Sequence, residues 1–342
     1  MRISIIVPCR NEERFIGPCL DSILATHYPP HDMEVLVVDG RSDDGTREIL
    51  DRYVERSPAV SVLDNPERIV STALNRGIRA ATGEVIVRLD AHAVYPAEYV
   101  PRLVSALLES GADNVGGTMK TVPAGPGPVH RAIALALAHR LAVGNAYFRI
   151  GSTRRRWVDT VPFGCYRRDV FARFGMFDED LVRNQDDEFN HRIIRNGGRV
   201  LLLPDVVSCY YARDSLAKLS RMYFQYGYFK PVAARKLGRV MTVRQVVPSL
   251  WLLSLLLLGL AGFAWPAAHV LWLLAAAAYA LAIAVSAVAA MPAYGVRCGL
   301  ALAVAFPVMH VSYGLGFIVG MWDLLFKHGG HVRDPAAVPL TR

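Results

Sequence analysis

Largely apolar runs alternate with amphipathic segments along the first part of the chain. Ile3 to Val7 has the length of a buried strand and stops at Pro8. A polar cluster, Arg10-Asn11-Glu12-Glu13, follows. Phe15, Ile16, Cys19, Leu20, Ile23 and Leu24 then recur at helical spacing up to the stop at Pro29-Pro30. Glu34 to Val38 is a second strand ending in Asp39-Gly40. The turn Gly40 to Thr46 caps a helix reaching about Arg56, Ser61 to Leu63 is a third strand, and Ile69 to Ala81 is a helix closed by Thr82-Gly83. Val85 to Leu89 rises as a fourth strand into Asp90-Ala91-His92. In a strand, residues i and i+2 share a face, so Asp90 and His92 reach one ligand together if strand geometry persists. Alternating strands and helices with short connections predict a doubly wound α/β sheet, whose ligand lies outside the carboxyl ends of its strands.

Farther on the pattern changes. Tyr99 to Ser110 reads as a helix and Val115 to Met119 as a strand. A Pro/Gly link, Pro123 to Pro128, leads to an apolar helix over Ala132 to Val143, too short to span a bilayer. From Val246 to Val296 there is no Asp, Glu, Lys or Arg, and up to Trp322 the only charge is Arg297. Such a stretch predicts transmembrane segments at about Val246 to Trp265, Ala267 to Met291 and Cys298 to Trp322. Pro307, Gly314, Gly316 and Gly320 equally allow the last to be broken or re-entrant. Lys230, Arg235, Lys236, Arg239 and Arg244 place the entry to the first segment on the cytoplasmic side, whereas three crossings put Lys327, Arg333 and Arg342 on the other.

The net charge of +8 therefore belongs to the polar part of the 342-residue chain. It suits anionic lipid or a diphosphate, and no recognition motif points to nucleic acid. The five cysteines show no C-x-x-C spacing, so neither a zinc site nor a disulfide framework follows. The start MRISIIVPC reads as a strand rather than a secretory signal, which leaves the polar domain in the cytoplasm.

Several side chains carry both a chemical and a purely structural reading. Asp39-Gly40 suits a turn as well as a ligand site, Glu12 suits a helix start, and His92 serves equally as metal ligand or hydrogen-bonded loop histidine. Thr153-Arg154-Arg155-Arg156-Trp157 fits a lipid phosphate or diphosphate, or a solvated loop. Asp186-Asp187-Glu188 opens a helix, where the positive N-terminal end keeps carboxylates ionised.

ISIIVPCRNEE, VLVVDGRSDDGT and ATGEVIVRLDAHA, in this order and spacing, resemble the opening of inverting family-2 glycosyltransferases with the GT-A fold. The resemblance implies that Pro8, Arg10, Glu12 and Asp39 hold the base and ribose of a nucleotide sugar. The family's D-x-D element, which holds a divalent metal (Mn²⁺ or Mg²⁺) and the diphosphate, reads Asp90-Ala91-His92 here and departs at its third position. Asn184 to Arg192 is similar to the family's E-D-x-E-L-x-x-R element, with Gln185 for the first Glu and Phe189 for Leu. By that resemblance Asp186 is the catalytic base. Asp187 is its main rival, and Glu188 pairs with Arg192 four residues on. Gly164, Asp187, Arg192 and Arg156 are further candidates for acceptor or diphosphate contacts. A Q-x-x-R-W element of processive members has no match in Arg221 to Lys230, which points to single addition.

These expectations define a GT-A domain over 1–230, a basic juxtamembrane segment over 231–245, a transmembrane region over 246–326 and a polar tail over 327–342. The layout resembles bacterial succinoglycan-type exopolysaccharide glycosyltransferases. It implies transfer from a nucleotide sugar, most simply UDP-linked, to a lipid-linked saccharide at the inner face of the plasma membrane. A polyprenyl-phosphate sugar transferase and a non-catalytic nucleotide-sugar-binding scaffold are the alternatives. A transporter is the weakest, since the apolar spans contain no charged pathway apart from His269 and His310.

Overall fold

The computed structural model describes residues 1–238 and 242–326. Arg239 and the tail with Lys327, Arg333 and Arg342 lie outside them. The described strands are β1 (Ile3–Cys9), β2 (Met33–Asp39), β3 (Val60–Asp64), β4 (Val85–Arg88), β5 (Ala93–Val94), β6 (Asn114–Val122), β7 (Arg156–Trp157), β8 (Cys165–Arg167) and β9 (Val200–Tyr211). They form one mixed sheet in the order β3-β2-β1-β4-β8-β6-β9-β5, with β7 beside β9. The helices of the first half are α1 (Ile16–Leu24), α2 (Thr46–Arg56), α3 (Val70–Ala80) and α4 (Tyr99–Ser110). Next come α5 (Pro128–Leu137), α6 (Arg140–Val143), α7 (Tyr147–Ile150), α8 (Asp169–Phe174) and α9 (Gln185–Arg195). The chain continues through α10 (Leu216–Leu237), α11 (Val247–Ala261), α12 (Pro266–Tyr294) and α13 (Val296–Phe326).

The parallel core β3-β2-β1-β4 is doubly wound, as the strand and helix pattern implies. Alternation along β1 sends Ile3, Ile5 and Val7 to one face, packed with Leu20 of α1 and Leu103 of α4. Ile6 goes to the other face, with Leu74 of α3 and Phe189 of α9. The interior strand β8 runs antiparallel to β4 and β6. Between Gly117 and Thr118 the register of β6 against β9 jumps, so Pro204 to Val206 bulge out of the ladder.

Three local expectations change. β4 ends at Arg88, so Asp90 and His92 sit in the turn that follows rather than on a strand. The Ala132–Val143 helix is two pieces, α5 and α6, interrupted at Ala138-His139. The three spans reduce to two helices long and apolar enough to cross a membrane, α12 with 29 residues and α13 with 31. At 15 residues α11 is about 22 Å long, short of a ~30 Å hydrocarbon core. α13 runs unbroken through Pro307.

α12 leaves Leu271, Leu274, Leu281, Val285 and Val288 exposed, an apolar surface that water does not favour. α13 instead packs along α10. A Cβ on Gly316 would lie 2.1 Å from the Phe224 carbonyl oxygen, and one on Gly320 2.2 Å from that of Tyr228, so only glycine permits this approach. Tyr228 Oη also donates to Asp323 Oδ2 at 2.8 Å. Three of the described cations in the basic run before the apolar helices are paired with carboxylates. α10 continues past Lys230; Lys230 pairs with Asp187, Lys236 with Asp178 and Asp180, and Arg244 with Asp159.

Candidate active site

The carboxyl ends of β1 and β4, the loop before α3 and the start of α9 enclose a cavity of about 1270 Å³. The wall at the β1 end contains Pro8, Arg10, Asn11, Glu12 and Gly40. Reciprocal hydrogen bonds tie the loops after β1 and β2 together. Asn11 Nδ2 donates to Asp43 Oδ1 at 2.7 Å, Asp43 N to Asn11 Oδ1 at 3.0 Å, and Glu12 N to Thr46 Oγ1 at 2.8 Å. Asp39 serves this scaffold. Its carboxylate accepts from Ser42 Oγ at 2.6 Å and lies 3.5 Å from Arg47 Nη1, while neighbouring Gly40 lines the cavity.

Asp90 and His92 both line the cavity although no strand aligns them. Tyr95 shapes their turn: its hydroxyl accepts from Asp90 N at 2.8 Å and donates to the Asp90 carbonyl at 3.1 Å. His92 Nδ1 lies 3.0 Å from Glu12 Oε1, and His92 Nε2 lies 3.9 Å from Asp90 Oδ2. The loops after β1 and β4 are thus linked through this imidazole. Among the described residues no three His, Cys, Asp or Glu side chains are grouped as a metal cage. One carboxylate and one imidazole are compatible with a divalent ion whose remaining ligands come from a diphosphate, and an imidazole nitrogen suits Mn²⁺ better than Mg²⁺.

Asp186 approaches from the opposite wall, in the first turn of α9. The side chain that joins it to Asp90 is Arg88. Along β4, Ile86 packs on the face that holds Phe189 of α9, and Arg88, two residues on, shares that face. Its Nη1 donates to Asp186 Oδ2 at 2.5 Å and its Nη2 to Asp90 Oδ1 at 2.7 Å. Burial pushes the Asp186 carboxyl above the usual carboxylate range, against the opposing pull of Arg88. Its Oδ1 is buried and has no hydrogen-bond partner among the described residues. Asp187 is in a different state. Burial works against its charge, but the buried Lys230 ammonium prevails and holds it at about 2.

Arg192 is absent from the cavity wall. It forks onto Glu188 at 2.7 and 2.8 Å and donates to the carbonyls of Phe174 and Met176, so it anchors α9 to the segment after α8. Arg156 stacks on Tyr147 at 4.5 Å and donates to Ser152 Oγ at 2.8 Å, also outside the wall. Gly164 has a packing role, since a Cβ there would lie 2.3 Å from Tyr166 Oη, while its carbonyl accepts from Arg88 N at 2.8 Å. Its neighbour Phe163 is the residue that faces the cavity.

Arg88 belongs to no motif in the sequence, although a lone cation inside a buried apolar strand is a readable signal. Arg149, Arg183 and Arg213 also line the cavity, and no local pattern marks them. Backbone strain marks the same place. Of the five described non-glycine residues with positive φ, four, Asn11, Arg68, Phe163 and Asn184, line the cavity.

A doubly wound sheet whose strand tips face a carboxylate-opened helix across one cavity is the arrangement of a GT-A fold. The chain belongs to glycosyl transferase family 2, whose model matches residues 4–175. It is similar to the succinoglycan biosynthesis protein ExoA of Rhizobium meliloti, with 33% identity over 92% of this chain and 93% of that one. In fold it is similar to the mannosyltransferase PcManGT from Pyrobaculum calidifontis in complex with GDP-Man and Mn²⁺. That likeness has a TM-score of 0.59 and 23% identity, and it covers 94% of this chain and 87% of the other. A second fold relative is S. aureus TarS 1-349 in complex with UDP-GlcNAc, with a TM-score of 0.51 and 18% identity over 94% of this chain and 92% of that one.

Proposed function

We propose that this glycosyltransferase is a membrane-anchored, metal-dependent inverting enzyme. It moves a sugar from a UDP-linked donor to a lipid-linked saccharide, in exopolysaccharide or cell-surface glycan biosynthesis. The observation that carries the reading is the convergence of Asp90, His92 and Asp186 on one cavity, with Arg88 between the carboxylates. The relatives supply the finer terms: ExoA the pathway class, TarS a UDP-sugar, PcManGT a divalent ion.

In this reading Pro8, Arg10 and Glu12 receive the nucleotide, with Asp39 acting through the loop it braces. Asp90 and His92 hold the divalent ion, which when bound offsets charge on the leaving nucleoside diphosphate. Asp186 removes the acceptor hydroxyl proton as the anomeric carbon is attacked from the face opposite the nucleotide, which inverts its configuration. Its unpartnered Oδ1 is the atom available for that proton, and its raised pKa makes it a stronger base. Arg88 holds the other carboxylate oxygen and fixes the aim. The exposed apolar surface of α12 sits in lipid with the sheet domain on the cytoplasmic side.

Transfer assays in membranes test this, scanning UDP-glucose, UDP-galactose, UDP-N-acetylglucosamine and GDP-mannose with Mn²⁺ or EDTA. Metal-dependent nucleotide release that disappears in Asp186→Asn is expected. Binding of donors with no turnover on any lipid extract would favour a non-catalytic scaffold. Full activity of Asp186→Asn would favour a polyprenyl-phosphate acceptor, which is already ionised and needs no base.

A further inference from the structure

The cavity does not end at the nucleotide site. From Asp186 and Asp187 it continues past Tyr223 and Tyr226 of α10 and reaches the apolar helices. There Trp251 of α11, Tyr279 of α12, and Met309 and Tyr313 of α13 line it. Polar ties hold this end in shape. His310 Nε2 lies 3.0 Å from the Leu141 carbonyl oxygen, His310 Nδ1 lies 2.8 Å from Tyr279 Oη, and Tyr313 Oη donates to the Gln245 carbonyl at 2.7 Å. One void therefore joins a diphosphate-type site to a groove walled by helices with exposed apolar backs.

Three guanidiniums from separate segments also line this void, Arg149 of α7, Arg183 before α9 and Arg213 after β9, and the Tyr210 ring under Arg149 lies 5.2 Å from that of His92. The charges of all three act on the Tyr226 phenol. Arg149 lies 5.6 Å over the Tyr210 ring, and its Nη1 is buried with no hydrogen-bond partner among the described residues. Arg183 Nε donates to Gln225 Oε1 at 3.1 Å. Like charges brought together in a partly buried place repel, and an anion of more than one charge binds there while accepting forked hydrogen bonds. An occupant must be anionic where it meets the arginines and apolar where it meets Trp251 and Met309.

We propose that Arg149, Arg183 and Arg213 bind the phosphate or diphosphate of a long-chain lipid-linked acceptor, whose hydrocarbon chain lies along Trp251, Tyr279, Met309 and Tyr313. The inference rests on the glycosyltransferase reading above and adds how that enzyme recognises its second substrate. The phosphate anchors the lipid at the arginines, and the sugar it carries extends toward Asp186. A soluble sugar makes no use of the apolar groove, and an ordinary membrane lipid lacks the exposed terminal phosphate that three guanidiniums select.

The test uses the full chain in phosphatidylcholine nanodiscs with farnesyl phosphate as probe and saturating UDP to block the donor end. Farnesyl phosphate is expected to bind, with farnesol and inorganic phosphate each at least about tenfold weaker. Arg149→Gln and Arg213→Gln are each expected to weaken the probe by about tenfold or more, the cost of a lost charged hydrogen bond. A melting temperature close to that of the wild type serves as the check on folding. Arg149 is only partly buried, so its variant guards against a folding failure of Arg213→Gln.

Equal binding of the probe by both variants would overturn the proposal. So would equal binding of farnesol, equal binding of inorganic phosphate, or displacement of the probe when phosphatidylglycerol replaces part of the nanodisc lipid. If the wild-type chain fails to bind UDP, the glycosyltransferase reading is what fails. Farnesyl phosphate binding measured without nucleotide still decides the arginine site.

Discussion

Arg88 Nη1 donates to Asp186 Oδ2 across 98 positions of chain, while Nη2 of the same guanidinium holds Asp90. One buried cation thus spaces a residue of the proposed metal site from the proposed base. Arg88→Met leaves two partly buried carboxylates without their shared partner, and a stability loss of about 3–5 kcal/mol is expected in denaturant melts. Arg88→Lys keeps the charge without the fork and should recover stability more than turnover.

Burial raises the Asp186 pKa despite Arg88, so the base takes up its proton at higher pH than an ordinary carboxylate. The acid limb of kcat/KM is expected above pH ~4, with activity rising as pH increases through it. Asp186→Asn should lower turnover by roughly 10²–10⁴-fold and leave UDP affinity nearly unchanged, as read by titration and single-turnover assays.

Asp187 titrates at about 2 in the folded chain, below an unfolded value near 4. Its contribution to stability is therefore complete above pH ~4 and is lost as pH falls toward ~2. Lys230→Met reverses the sign, because the unpaired buried carboxylate then favours its proton and acidification relieves it. Melting temperatures of the two proteins between pH 6 and 3 should show opposite slopes in the contribution that the variant removes.

His92 stands 3.9 Å from Asp90 and 3.0 Å from Glu12, in place of a second aspartate. His92→Asp substitutes an oxygen ligand for an imidazole and should shift activation from Mn²⁺ toward Mg²⁺ by roughly tenfold in their activity ratio, each metal titrated from an EDTA-stripped enzyme. An unchanged ratio would mean that His92 acts only as the bridge to Glu12.

Gly320 lets α13 touch the backbone of α10 at Tyr228. Gly320→Leu forces those helices apart, with an expected cost of about 1–3 kcal/mol or more. Because α10 also carries Lys230 and Tyr226 into the cavity, transfer should fall together with thermal stability in detergent.

The alternation of apolar runs with amphipathic helices was enough to specify β1 to β4, their helices and the ligand end of the sheet, because strand burial and helix faces are written in neighbouring residues. The carboxylate-opened α9 and the length of the apolar tail were legible for the same reason. Which side chains meet was not. Arg88 joins Asp90 to Asp186 only because β4 presents that face to α9, and Asp39 and Arg192 are held by partners that local spacing does not settle. Only α12 and α13 are long enough to cross a membrane because α11 stops after 15 residues, and α13 is held against α10 by glycines that sequence alone offered as sites of breakage. Arg149, Arg183 and Arg213 come from three separate segments. Only the packing of α7, α9 and β9 around one cavity brings their charges together, since long-range convergence leaves no periodic trace in the chain.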